Sequence, residues 1–210
     1  ALLWKAMSHI YEGQPAEAMT VLAARFALAE EDDDPVSMAG DRILMGQILL
    51  ESGDIERALE RFIDAVQLVG TAGVPEDFTQ NTRRNFLYWK ARVALAQGQL
   101  RAAEDEIDAY REQVEQRQVP FEHRLLGELE GRLALARDDA PSALEALSRA
   151  SQADPQVLLL TAKAHRAAGD LSAANSYAEQ AAQFNGLVVN YAFVREPATR
   201  LLQELQGTSD

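Results

Sequence analysis

The chain has 210 residues, 47% of them hydrophobic and 25% charged, enough for one extended domain or two small ones with a packed core. Its 33 Asp plus Glu outnumber its 20 Lys plus Arg, and the resulting formal charge of -13 argues against nucleic acid and anionic membrane surfaces as partners. Cysteine is absent, which removes disulfides, thiolate nucleophiles and sulfur-ligated zinc together.

No apolar run approaches the roughly 18 residues that a membrane span needs. The reading is a soluble chain whose compartment stays open, with the cytoplasm slightly favoured. The chain opens directly on the helical pattern "ALLWKAMSHIYEG", without a capping residue, and this reads as a segment of a longer or processed protein.

From there one pattern recurs: a small residue, a turn residue seven positions later, and an alanine five further on. It first appears as Ala6, Gly13 and Ala18, and is followed by the acidic connection "EEDDDP" at 30–35. The second copy, "GQILLESGDIERALERFIDA" at 46–65, has Gly46, Gly53 and Ala58, with Ile48, Leu49, Ile55, Leu59, Phe62 and Ile63 at helical spacing on both sides of Gly53-Asp54. After the stretch "GTAGVPEDFTQ" at 70–80 come Ala91, Gly98 and Ala103, then Gly131, Asp138 and Ala143, then Ala162, Gly169 and Ala174.

Each position has a steric reason. The turn residues stand where a helix ends in a left-handed conformation, which glycine adopts freely and aspartate tolerates. Asp54, Asp139 and Asp170 precede the next helix, where a carboxylate can accept orphan N–H groups, and Pro15 and Pro141 sit early in a helix, where a missing N–H costs least. The small residues let two helix backbones approach closely. The final stretch "FNGLVVNYAFVREPATRLLQELQGTSD" carries an apolar stripe of Tyr191, Val194, Leu201, Leu202 and Leu205. It reads as a capping helix, with Pro197 either starting it afresh or kinking it, and a mobile tail.

The offsets of small residue, Gly and Ala, with Pro155, resemble the tetratricopeptide repeat family over residues 1 to about 185. The second and fourth copies read as the best matches. The resemblance implies an all-α fold, a right-handed α-solenoid of about five helix-turn-helix repeats plus a C-terminal capping helix, with a concave groove. The repeat domain would span 1–186, with units near 1–34, 35–75, 76–119, 120–155 and 156–186, and 187–210 would be cap and tail. Two departures stand out. Aliphatic residues mostly replace the early aromatic positions, and the third-offset alanines are 40, 45, 40 and 31 residues apart, against a family period of about 34. The extra length falls between hairpins, as longer helices or inserted loops.

Enzyme signatures are absent: there is no phosphate-binding glycine loop, zinc-protease helix, nucleophile elbow or calcium loop. The reading is therefore a non-catalytic chain without cofactor or metal. His9 and His165 stand at equivalent places where the family packs an aromatic, and His123 reads as solvated. The acidic run Glu30 to Asp34 lacks the alternation and turn glycine of a calcium site and reads as a solvated connection.

In this family the first helix of each hairpin lines the groove. One of its positions carries Met7, Gln47, Arg92, Arg132 and Lys163, and a helical turn earlier stand Leu3, Ile43, Tyr88, Glu128 and Leu159. Gln47, Tyr88, Arg92, Glu128, Arg132 and Lys163 are therefore the candidate partner-binding residues. In the functional reading three cations in register hold a peptide or protein partner with acidic groups, and Tyr88 is an apolar shelf. In the other reading the cations offset Glu51, Glu128 and Glu130 and keep the face soluble. In "NFLYWKARVAL" at 85–95 the aromatics point to several sides of a helix, so most must be core. The lysine and asparagine pattern of chaperone-binding members does not transfer.

The leading function is an interaction scaffold for a peptide or protein. The alternative is a sensor or regulatory helical-repeat domain of a larger bacterial signalling or transcription-regulator protein, which repeats of roughly 40 residues also resemble. Homo-oligomerisation through exposed end repeats is a further expectation.

Overall fold

A computed structural model describes residues 1–71, 73–186 and 188–207, the side chain of Thr71 excepted. Among these residues the chain forms eleven α-helices and no strand. The helices are α1 (Leu2–Tyr11), α2 (Pro15–Glu31), α3 (Pro35–Glu51), α4 (Ile55–Thr71), α5 (Glu76–Ala96), α6 (Leu100–Glu115), α7 (Pro120–Ala136), α8 (Ala140–Ser148), α9 (Pro155–Ala167), α10 (Leu171–Ala182) and α11 (Val189–Gly207). The expected tail at 208–210 lies outside the described residues.

Five helix pairs, α1/α2 to α9/α10, are joined by short turns built one way. The penultimate turn residue is left-handed: Gly13, Gly53, Gly98 and Gly169 have φ of 71, 84, 70 and 81°, and Asp138 has 58°. The next residue donates its backbone N–H five residues back, Gln14 to His9 O at 2.8 Å, and Asp54, Gln99, Asp139 and Asp170 to Leu49, Ala94, Ala134 and His165 O at 2.9 Å each. This closes the last helical turn and satisfies an otherwise orphan carbonyl.

The acidic connection follows the same geometry. Glu30 and Glu31 belong to α2, Asp33 is left-handed at φ 52°, and Asp34 N–H donates to Ala29 O at 2.8 Å. Asp34 is more than a solvated residue: its carboxylate accepts from Ser37 N–H at 3.0 Å and caps α3. Asp139 and Asp170 cap α8 and α10 as the sequence suggests, through Ser142 N–H at 3.1 Å and Ala173 N–H at 3.0 Å. The carboxylate of Asp54 instead takes Arg57 Nη1 at 3.0 Å.

The uneven spacing comes from helix length rather than from inserted loops. Helix α5 has 21 residues, whereas α8 has 9 and α9 has 13.

The chain divides into two compact units, Ala1–Glu106 and Ile107–Asp210. In the first, α1 to α5 each pack on the next. In the second, α7 to α11 do so, and α9 also meets α7 and α11. The recurring small residues are the contact points. Ala6, Ala18, Ala58, Ala91, Ala103, Ala143, Ala162 and Ala174 are all 0% exposed. A Cβ on Gly46 would come within 2.5 Å of the Phe62 ring, and one on Gly131 within 2.6 Å of Leu147 Cγ.

Helix α11 runs unbroken through Pro197 and lays Val194, Ala198, Leu201 and Leu205 on Leu158, Leu159, Ala162, Ala174, Ala178 and Ala181. It acts as the cap of the second unit, since without it these apolar side chains would face water.

Candidate partner-binding surface

In the first unit, α3 supplies Gln47 and Glu51, one helical turn apart, and α5 supplies Tyr88 and Arg92 in the same relation. Both pairs share a helix face because residues four apart do. Arg92 Nη2 donates to Glu51 Oε1 at 2.5 Å, and the arginine side chain is 5% exposed. Its guanidinium lies over the rings of Trp89 and Tyr88, at 5.2 and 5.8 Å from their centroids. Trp89 in turn stacks on Phe62 at 4.7 Å and meets Tyr88 edge-on at 5.1 Å.

Tyr88 and Trp89 are thus core aromatics that wall in a paired guanidinium. Gln47 is buried beside them on α3. The ion pair is cross-hairpin, 41 residues apart, and the surrounding aromatic faces favour a flat delocalised cation over an ammonium.

In the second unit, Glu128 and Arg132 lie one turn apart on α7. Arg132 Nε donates to Glu128 Oε1 at 2.8 Å, and that carboxylate is 3% exposed. Arg132 Nη2 is enclosed and has no hydrogen-bond acceptor among the described residues. Close by, Asp154 caps α9: its carboxylate accepts from Gln156 N–H at 2.8 Å and from Asn190 Nδ2, at the start of α11, at 2.8 Å. Burial holds the Asp154 carboxyl above its ordinary pKa of 3.8, the nearby Glu128 charge adds to this, and the Gln156 N–H, the Asn190 amide and Arg132 oppose it. Lys163 is exposed on α9.

The six candidates thus fall into two groups: Gln47, Tyr88 and Arg92 in one unit, Glu128, Arg132 and Lys163 in the other. Glu51 meets Arg92 and Glu128 meets Arg132, whereas Glu130 turns to Arg111 and Arg149 at 3.0 and 2.6 Å. Asp154, Gln156 and Asn190 were not among the candidates. The Asp154-Pro155 pair is a helix-start signal that could have pointed to the first of them, whereas Asn190 reaches Asp154 only through the docking of α11.

Among the described residues His165 alone of the histidines shows the expected ring packing, and His123 is exposed as expected. His165 stacks on Tyr177 at 5.4 Å, and His9 Nδ1 shares a hydrogen bond with Gln14 Oε1 at 2.8 Å. No group of three or more potential metal ligands occurs among the described residues, and no helix there is long and apolar enough to cross a membrane.

A family model for the tetratricopeptide repeat matches residues 85–109, the α5–α6 hairpin that carries Tyr88, Trp89 and Arg92. The match falls on the third copy rather than on the second or fourth. No curated protein matches the chain. Tetratricopeptide repeats generally mediate protein–protein interaction and are typically non-catalytic scaffolds. The matched hairpin, with its left-handed Gly98 and its buried Ala91 and Ala103, supports a tetratricopeptide repeat at residues 85–109, and the all-helical chain is consistent with a helical repeat solenoid.

Proposed function

We propose that the chain is a non-catalytic scaffold that holds a peptide or protein partner against the first helices of its hairpins. In the second unit the exposed Lys163 and the half-buried Arg132, held by Glu128, are the groups nearest a partner; in the first unit Gln47, Tyr88 and Arg92 are buried and shape the face from beneath. The observation that carries this reading is the placement of enclosed ion pairs, Arg92 with Glu51 and Arg132 with Glu128, on these first helices. Enclosed pairs of this kind stabilise a fold no better than apolar side chains of similar size, and their use here is to fix one arrangement of the helices, which keeps the face above them rigid.

In the second unit Arg132 Nη2 is a donor without an acceptor, set on the same candidate face as the exposed Lys163. A partner carboxylate that displaces the cover over Nη2 would supply its missing acceptor, and a second acidic group would suit the exposed lysine.

The test is selection of peptides on the purified chain from a displayed library, followed by affinity measurement on the best sequences. Arg132→Gln with Lys163→Gln should weaken the selected peptides by about tenfold or more, the factor expected for losing about 1.4 kcal/mol of charge-assisted bonding. Unchanged affinity in a variant of unchanged helicity would overturn the assignment of these residues.

A further inference from the structure

Another polar site in the first unit lies where α2 and α4 flank α3. Helices α2 and α4 both pack on α3. A depression of about 430 Å³ is lined by Phe26 of α2, by Arg42 of α3, and by Asp64, Gln67 and Leu68 of α4. Arg42 and Asp64 supply its charges, Phe26 and Leu68 its apolar surface.

Arg42 is poorly supplied with acceptors. One face of its guanidinium lies 3.9 Å from the Phe26 ring centroid. Its polar contacts are long: Nε stands 3.6 Å from Asp64 Oδ2, and Nη1 donates to the thioether sulfur of Met45 at 3.8 Å. Asp64 is held more tightly by Arg61, at 2.8 Å, so one carboxylate serves two guanidinium groups. Nε is buried and has no hydrogen-bond acceptor among the described residues.

A guanidinium carries five donors, and a buried donor left without an acceptor opposes folding until something supplies one. Burial, and then the charge of Arg61, push the Arg42 pKa below its ordinary value, against the opposing pull of Asp64, Glu30 and Asp41. The neighbouring Arg25 shows the contrast, since it is closely paired with the fully buried Asp41.

We propose that this depression binds a small molecule carrying a carboxylate on an apolar body. The carboxylate takes the donors of Arg42 and leaves Asp64 to Arg61, so that two anions match two cations. The body packs on Phe26 and Leu68. The volume lies in the range of small-molecule sites, about 300–1,000 Å³, and the lining sets the apolar Phe26 and Leu68 beside the polar Arg42, Asp64 and Gln67. The site lies between α2 and α4 over Arg42 of α3, and it shares no residue with the partner-binding candidates.

Titration of the full ¹⁵N-labelled chain with phenylacetate, indole-3-acetate and octanoate, followed by the arginine Nε–H signals, tests it. At least one acid should shift the Arg42 signal saturably and bind about tenfold or more tighter than acetate, with the uncharged phenylacetamide inactive. Arg42→Gln should abolish the binding. Leu68→Glu, which keeps Arg42 and places a tethered carboxylate in the depression, should block it as well, and circular dichroism reports whether either variant is folded. The proposal is overturned if none of the three acids moves Arg42 more than the exposed Arg57, or if folded Leu68→Glu binds as well as the native chain.

Discussion

Two glycines seven residues apart are required for opposite reasons. Gly53 has φ of 84° and open space around the position a Cβ would occupy, so a side chain there is opposed by backbone strain alone. Gly46 sits in regular helix, where a Cβ would stand 2.5 Å from the ring of Phe62. Gly53→Ala should therefore cost about 1–2 kcal/mol, the left-handed penalty, without disturbing the core. Gly46→Ala should cost about 1–3 kcal/mol through overpacking, and it should also move Phe62 against Trp89, on which it stacks. Urea unfolding gives the two energies, and native-state tryptophan fluorescence should change in the second variant alone. Native fluorescence and stability in Gly46→Ala would mean that Phe62 yields at no cost.

This contrast also marks what was legible in the sequence. The Gly53 type of position could be read locally, because a turn residue between two helical patterns has a conformational reason that needs no neighbour. The small residues Gly46, Ala58, Ala91 and Ala143 were legible as contacts from their repetition, and each is buried. Arg92 was not legible as an enclosed residue. Its pairing with Glu51 and the rings around it exist only once α3, α4 and α5 are assembled, and single-helix spacing shows Tyr88 beside it but not the burial of both.

Among the elements, α11 is tied down by chemistry as well as by apolar contact. Asn190 at its start donates to Asp154, which also caps α9, so one half-buried carboxylate links the two helices. In the folded chain its pKa lies above the ordinary 3.8, chiefly through burial. Between those two values the folded state binds more protons than the unfolded one, so this group's contribution to stability declines as pH rises through that window. Asp154→Asn keeps a capping oxygen and removes the charge. Its stability relative to the native chain should therefore increase on going from pH 4 to pH 7, as read by denaturant midpoints at fixed salt. Parallel pH profiles would mean that the charge is not penalised there.

For the molecule as a whole the formal charge of -13 sets the balance between repulsion and pairing. Many of the cations are already spent on local partners: Arg111 and Arg149 share Glu130, Arg166 takes Glu204, and Lys90 takes Glu106. Exposed pairs of this kind contribute little, about 0–1 kcal/mol each, whereas the unmatched carboxylates repel one another over distances that salt screens. Raising the salt from 0.05 to about 0.5 M should therefore raise the melting temperature by roughly 2–4 °C, the shift that about 1 kcal/mol gives in a chain of this size. A fall instead, followed by circular dichroism, would show that the ion pairs outweigh the excess of negative charge.

The closing bond that spans five residues has a consequence of its own. Because each hairpin turn ends on this same short link, with one left-handed residue ahead of it, the joint takes no account of how long its two arms are. Length was free to drift in the arms, from 21 residues in α5 to 9 in α8, while the elbow stayed fixed. A chain made this way can be lengthened, trimmed or given a borrowed hairpin at the connections between elbows without reworking any of them.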